Sequence, residues 1–330
     1  MMDFNKKRVL VTGANGFIGR SLCVTLKKRG HFVQGAVRNH VHDVSGVDEC
    51  IPVEDINELT DWQQALAGVD TVIHLAARVH VMNDSAANPI EVFRKVNVLG
   101  TERLARMAAK AGVKRFIFIS SVKVNGEGFR DCFGASRLAM TQGAYTEKDI
   151  PAPQDTYAVS KLEAENILKK VADETGLQVV VLRLPLVYGS GVKANFKSLI
   201  KLASSGLPLP FKGVNNRRSF LYIGNLADAI STCITHPLAA GETFMVSDGQ
   251  DVSTPDLIKM IACAMKKKAV LFFFPLGILK MLCKITGKTE ELEKLTGTLL
   301  VDSSKIRNLL GWKPPFTMEE GIKKTVKEIQ

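Results

Sequence analysis

Short, mainly apolar runs alternate with longer stretches of helical patterning through the first 190 residues of this 330-residue chain. Arg8-Val-Leu-Val-Thr12 is one such run, and it passes straight into glycines. Ile18, Leu22 and Leu26 then recur at helical spacing as far as Gly30, a residue suited to ending a helix. Apolar runs at 32–37, 50–53, 71–75, 115–119 and 178–182 predict five more strands, and the stretches 90–111 and 157–175 predict two long helices. Strands with apolar residues at consecutive positions, and not merely at every second one, belong to a parallel sheet covered on both faces. The pattern predicts an α/β fold with a doubly wound parallel sheet. After Tyr188-Gly189 the alternation lapses, and it returns only between Ser219 and Ser247. Residues 1–189 and 219–247 are therefore assigned to the sheet domain, and 190–218 and 248–330 to a smaller C-terminal lobe.

The glycines after the first strand give that fold a ligand. In Thr12-Gly-Ala-Asn-Gly-Phe-Ile-Gly19 the spacing of Gly13, Gly16 and Gly19 permits a tight turn, close backbone approach to a pyrophosphate and close helix–strand packing. The helix that follows offers unpaired N–H groups to the phosphates. This predicts an NAD(P)-binding Rossmann sheet. Downstream, Tyr157 and Lys161 stand four residues apart, on one face of a helix. A free phenol titrates near ~10, too high for proton transfer at neutral pH, and a neighbouring ammonium favours its ionised form. Ser121, at the end of the fifth strand, is placed to hydrogen-bond a substrate oxygen. A phenol, an ammonium and a hydroxyl beside a dinucleotide describe hydride transfer at a carbon bearing an alcohol or ketone.

Composition narrows the partners. The net charge of +11 suits nucleic acid, anionic lipid or a phosphorylated small molecule. No dense basic block with interleaved aromatics is present, so a nucleic-acid role is not expected. Six scattered cysteines without a CxxC pair indicate free thiols in a reducing cytoplasm. The first strand starts near residue 8, which leaves no room for a signal peptide. The longest apolar run, 269–279, is too short to span a bilayer and holds Pro275 and Gly277, so no transmembrane segment is expected.

With these residues in view, the chain resembles the extended short-chain dehydrogenase/reductases, and most of all the UDP-glucose 4-epimerase branch. TGANGFIG, Asp70-Thr-Val-Ile-His-Leu-Ala-Ala77, Asn97-Val-Leu-Gly100, Ser120-Ser121, Tyr157-x-x-x-Lys161 and Arg183-x-Pro-x-Val-Tyr-Gly189 fall in the family's order over nearly the full length. The resemblance implies that Ser121, Tyr157 and Lys161 are catalytic. It implies cofactor contacts from Gly13, Asn15, Gly16, Phe17, Ile18, Gly19, Arg38, Asp55, Ile56, Leu75, Ala76, Ala77 and Asn97, and from Tyr157 and Lys161 themselves, with Asp55 near the adenine and Lys161 on the nicotinamide ribose. For the UDP-sugar it implies Arg78, Ser121, Lys123, Asn195, Arg218 and Asp302, with Arg218 on the diphosphate. A homodimer through the two long helices is a further implication. Two positions depart from the epimerase pattern: Val124-Asn-Gly126 stands for Val-Tyr-Gly, and Leu186 for a frequent asparagine. The stretches 77–82 and 122–126 are closer to bacterial reductases of surface-polysaccharide (O-antigen) pathways, which convert a UDP-4-keto-6-deoxy-N-acetylhexosamine to UDP-N-acetylquinovosamine.

Arg38 bears on the choice between these activities. NAD-specific sheets usually end the second strand with an acid that binds the ribose 2′-hydroxyl. Here the strand ends in Val37-Arg38-Asn39, and an arginine suits the 2′-phosphate of NADP. NADP(H) is therefore expected ahead of NAD(H), although a solvated surface arginine is the plainer alternative. Three functions follow in order: an NADPH-dependent 4-keto reductase, a UDP-glucose or UDP-N-acetylglucosamine 4-epimerase with tightly bound NAD, and a non-catalytic dinucleotide sensor. His40, His42, His74 and His80 read as solvated or packed, and no metal is expected. The apolar stretch 271–285 reads as packed in the C-terminal lobe, with a membrane surface as the alternative. Residues 127–144 form either a cover over the sugar site or an insertion without a role.

Overall fold

The computed structural model describes residues 6–38, 43–79, 88–127, 143–192 and 194–327. In chain order the sheet-forming part runs β1 (Arg8–Thr12), α1 (Phe17–Lys28), β2 (Phe32–Val37), β3 (Glu49–Pro52), β4 (Thr71–His74), α2 (Pro89–Arg94), α3 (Gly100–Lys110), β5 (Arg115–Ser121), α4 (Thr156–Thr175) and β6 (Gln178–Leu184). Then follow β7 (Leu186–Tyr188), α5 (Ala194–Ser204), β8 (Phe220–Tyr222), α6 (Ile223–Thr235) and β9 (Thr243–Met245). The chain closes with α7 (Thr254–Ala264), α8 (Leu276–Ile285), α9 (Thr289–Thr296), α10 (Ser304–Leu310) and α11 (Met318–Lys327). Seven strands pair in the order β3-β2-β1-β4-β5-β6-β9, and every pairing is parallel. The strand order reverses between β1 and β4. In open sheets of this kind, ligands bind beyond the carboxyl ends of the strands at such a point.

Side-chain alternation along the strands explains why both faces are covered. Val9 and Val11 join Leu22 and Leu26 of α1 and Ile230 of α6 in one buried cluster. Leu10 between them joins Leu104 of α3, Leu168 of α4 and Trp62 in another. Each fully buried leucine contributes about 1.5–3 kcal/mol relative to exposure. A third cluster unites Tyr188, Phe196, Phe220 and Tyr222 with Ile258 and Ile261 of α7 and Ile322 of α11. The short β7 and β8 pair there as a separate two-stranded sheet.

Two details differ from the sequence pattern. Residues 219–247 do return to the main sheet, through β9 on β6, but β8 stays with β7. The helix expected over 90–111 is interrupted at Lys95–Leu99 by a π turn joining α2 to α3. Among the described residues, no helix is long and apolar enough to cross a membrane, and Cys23, Cys50, Cys233, Cys263 and Cys283 are free thiols.

Candidate active site

The glycine turn is shaped by contacts that admit no side chain. Gly13 has φ +69°, and a Cβ on it would lie 3.1 Å from the Ala76 backbone nitrogen. A Cβ on Gly19 would come within 2.2 Å of the Gly13 carbonyl oxygen. The α1 N-cap is Gly16, which supplies no side-chain cap, and the first turn holds no acidic residue. Its N–H groups and positive dipole end are thus left for an anion, and these residues fit the pyrophosphate of a dinucleotide. Asn15, Phe17 and Ile18 lie in the same turn and first helical residues, with the Asn15 carbonyl accepting from Arg20 Nε at 3.0 Å. Phe17 packs toward the third apolar cluster and Ile18 toward the first.

Beneath the turn lies a buried relay that the sequence did not suggest. Thr12 Oγ1 is 2.7 Å from His74 Nδ1, His74 Nε2 is 3.0 Å from Thr101 Oγ1, and the Ala76 N–H donates to Thr12 Oγ1 at 3.2 Å. Burial, and secondarily the Lys161 charge, push the His74 pKa down to about 3. His74 is a neutral packing residue that fixes the backbone of 75–77 against Gly13. His40 and His80 lie outside the described residues, as does His42.

Asn97 is turned inward by the π turn. Its Oδ1 accepts from the Arg78 N–H at 2.8 Å, and its Nδ2 donates to the Arg78 carbonyl (3.0 Å) and to Ser160 Oγ (2.9 Å). Arg78 itself stands 5.7 Å from the centroid of the Phe93 ring. The structure therefore joins Leu75, Ala76, Ala77, Arg78 and Asn97 into one wall of the crevice. Ile56 packs at the edge of the second cluster. Arg38 and Asp55 meet as an exposed ion pair at 3.6 Å, with side chains 73% and 85% accessible.

Strand β5 and helix α4 are tied residue by residue. Lys161 Nζ donates to the Ile119 carbonyl at 2.7 Å, and Ser120 Oγ donates to Glu165 Oε1. Ser121, next along, accepts from the Lys123 N–H at 3.3 Å. Tyr157 stands one helical turn before Lys161, with its ring 6.4 Å from that of Phe93 and 5.9 Å from the Lys161 ammonium. The spacing expected for a phenol–ammonium pair is present, but the electrostatics run the other way. Burial, then the Asp155 charge, raise the Tyr157 pKa above its ordinary value. Burial lowers that of Lys161 to about 7, with Glu165 opposing. In a dry site the cost of ionising each group outweighs their mutual attraction.

Asp155 was not singled out from the sequence, though an aspartate just ahead of a helix is a readable N-cap signal. Its Oδ1 accepts from the Ala158 N–H at 2.6 Å, and its Oδ2 accepts from Lys123 Nζ at 2.7 Å. Lys123 also pairs with Glu127, and the two acids raise its pKa against burial, which opposes them. Arg218 is partly buried; its Nη1 donates to the Lys294 carbonyl at 2.7 Å. Burial lowers its pKa, with Glu127 the charge that opposes this. Asp302 lies behind Tyr145, whose carbonyl accepts its N–H at 2.9 Å, and its Oδ1 caps Ser304 N–H at 2.8 Å. Asn195 is the second residue of α5, and its side chain lies outside the described residues. So do 128–142, which hold most of the segment 127–144.

The two departures from the epimerase pattern have different surroundings. Asn125 is buried and accepts from Arg183 Nη1 at 3.0 Å, so its side chain serves the sheet and not the crevice. Leu186 packs against the third apolar cluster.

A family model described as the NAD dependent epimerase/dehydratase family matches residues 9–247. The chain belongs to that family. Membership makes it an enzyme of the short-chain dehydrogenase/reductase type. A Vibrio cholerae member named UDP-glucose 4-epimerase is 44% identical over 97% of this chain and 94% of its own length. Among solved structures, a Bacillus cereus UDP-N-acetylglucosamine 4-epimerase superposes with TM-score 0.76 at 20% identity, covering 98% of this chain and all of its own (100%). A Bacillus cereus UDP-glucuronic acid 4-epimerase in complex with NAD gives 0.74 at 23% identity, with 98% of both chains covered. At that identity the structures speak for the epimerase/dehydratase fold alone.

Proposed function

We propose that the chain carries out oxidation or reduction at C4 of a UDP-linked hexose. The observation that carries this reading is the anchoring of Ser121, Tyr157 and Lys161 on one strand end and one helix face, beside an uncapped glycine turn. Gly13, Gly16, Gly19 and the first residues of α1 would hold the dinucleotide, with Asp55 at the adenine end and Asn97 steadying the backbone of 75–78. When bound, the dinucleotide supplies the chemistry of accepting or giving a hydride at C4. Tyr157 Oη moves the proton at the sugar O4, giving it in the reductive direction and taking it in the oxidative one. Ser121 Oγ orients that oxygen. Lys161, with a pKa of about 7, exchanges a proton near neutrality and sets the local field. Asn195, Arg218 and Asp302, on the lobe assigned to 190–218 and 248–330, would meet the sugar nucleotide together with Lys123, which follows β5 on the sheet side.

In the first version of this reading the chain reduces a UDP-4-keto-6-deoxy-N-acetylhexosamine with NADPH. It is supported by Arg38 at the end of β2, where NAD-specific sheets carry an acid. The second version, a 4-epimerase that retains NAD, is supported by the 44% identical relative and by the Asp55 carboxylate beside Arg38, which competes with a 2′-phosphate. The deciding measurement uses the purified protein. Net consumption of NADPH with UDP-4-keto-6-deoxy-N-acetylglucosamine makes it the reductase. Tightly held NAD, no net oxidation and interconversion of gluco and galacto UDP-sugars make it the epimerase. Failure of every UDP-sugar in both assays would overturn the proposal. A cytoplasmic location and a homodimer through the long helical stretches 90–111 and 157–175 belong to the same proposal, and light scattering tests the second.

A further inference from the structure

Between Asp256 and Glu290 the chain carries seven lysines (259, 266, 267, 268, 280, 284 and 288) and no acidic residue. Most of the +11 net charge therefore belongs to one tenth of the sequence. The same segment is where apolar side chains reach solvent. Val270, Phe272, Phe273, Ile278, Met281, Leu282 and Ile285 make up half of the large exposed hydrophobic residues among the described ones. Phe273 is 69% and Ile285 76% accessible. Helix α8 was expected to pack in the lobe, and only one of its faces does. Leu276, Leu279 and Cys283 lean on the third apolar cluster. Ile278, Met281, Leu282 and Ile285, at i, i+3, i+4 and i+7, form a second apolar face turned outward, and no α8 residue is fully buried.

We propose that this face docks on the surface of an anionic lipid bilayer. The apolar residues enter the boundary between headgroups and acyl chains while the lysines meet headgroup phosphates. A contiguous apolar face of this kind marks an interaction site and not ordinary surface. Ten residues of helix span about 15 Å, half of a hydrocarbon core, so α8 lies in the membrane plane and does not cross it. The charge pattern decides against a second copy of this chain. A twofold contact places the same patch on both sides, so it would press the lysine-rich segment against its own copy, with only Glu290, Glu291 and Glu293 of the adjoining α9 to set against seven lysines from each side. An anionic lipid surface neutralises them instead. Helix α8 leads into α9, whose Lys294 carbonyl accepts from Arg218, so docking brings the lobe that carries Arg218 to the lipid surface.

Vesicle co-sedimentation of the full chain tests this. With vesicles of equal parts phosphatidylglycerol and phosphatidylcholine the protein should pellet at low salt and be released as salt rises. With pure phosphatidylcholine it should stay in the supernatant. Lys280→Ala and Lys284→Ala should each lower partitioning about fivefold, and the pair Phe273→Ser, Ile285→Ser about tenfold or more. All four positions are solvent-facing, and an unchanged thermal melt verifies that each variant is folded. If a variant melts early, salt release of the unaltered protein decides alone. The proposal is overturned if the unaltered protein ignores anionic vesicles, pellets equally with neutral ones, or loses nothing in the folded variants. It is also overturned if sedimentation equilibrium shows a dimer that Phe273→Ser, Ile285→Ser dissolves.

Discussion

Lys161 and Arg183 are both buried cations, and both face Glu165, yet they are held in opposite ways. Arg183 gives Glu165 hydrogen bonds from Nε and Nη2 and gives Asn125 another from Nη1, so its charge is met by a carboxylate. Lys161, four residues before Glu165 on α4, has a backbone carbonyl as its hydrogen-bond partner and the Phe118 ring 4.4 Å away. The difference separates architecture from chemistry. A cation paired with an acid in a dry interior keeps its charge and locks β6 to α4. A cation that touches only a carbonyl dipole and a ring face, with the Glu165 charge opposing burial from further off, is brought close to its own titration point, where it can act on a neighbouring phenol.

The largest break in this comparison is expected at the phenol itself. Tyr157→Phe should lower turnover about 10²–10⁴-fold while dinucleotide binding, followed by fluorescence titration, stays at the level of the unaltered protein. Turnover unchanged by that substitution would remove Tyr157 as the proton carrier. Glu165→Ala should leave Arg183 buried without its acid and cost about 3–5 kcal/mol in urea denaturation. A loss below about 1 kcal/mol would mean the pair is not structural.

Lys161→Met gives the sharper contrast because its sign depends on pH. The native amine titrates at about 7 and the unfolded one near its ordinary 10.5. Between those values the unfolded chain holds a proton that the native chain has released, so burial of Lys161 costs most below pH 7 and progressively less as pH rises. The methionine variant, inactive in turnover, should therefore gain more melting temperature over the unaltered protein at pH 7 than at pH 10. An equal difference at both would show that this amine does not titrate on folding. The smallest effect is at the exposed rim. Arg38→Ser should weaken NADPH binding about tenfold relative to NADH if the guanidinium reads the 2′-phosphate, and leave both unchanged if it is only Asp55's surface partner.

Much of this site is local in the chain, and that part was legible. The glycine turn, the six longer strands and the Tyr157–Lys161 spacing each lie within a dozen residues, where periodicity and steric demand speak directly. The Arg183–Glu165 pair, the Thr12–His74–Thr101 relay and the Lys123–Asp155 contact join residues 18 to 62 positions apart. No spacing rule reaches across such distances. β9, three residues long, is too short for its pattern to stand out from a loop, and the sign of the Tyr157 and Lys161 shifts depends on burial that only the packed chain reveals. The outward face of α8 carries the same apolar residues as a packed helix, so its exposure was not readable either.

The π turn at Lys95–Leu99 sets a rule for length as well as for direction. Residues four apart overshoot one α-helical turn by about 40°, so Phe93, Asn97 and Thr101 would fan around a regular helix. A turn that closes over five residues absorbs part of that overshoot. All three then keep their appointments, Phe93 with Tyr157, Asn97 with Arg78 and Ser160, and Thr101 with His74. Substitutions along this stretch can be absorbed one side chain at a time. Removing or adding a single residue between 95 and 99 rotates everything downstream by about 100°, so the contacts here depend on the spacing more than on the identity of any one residue.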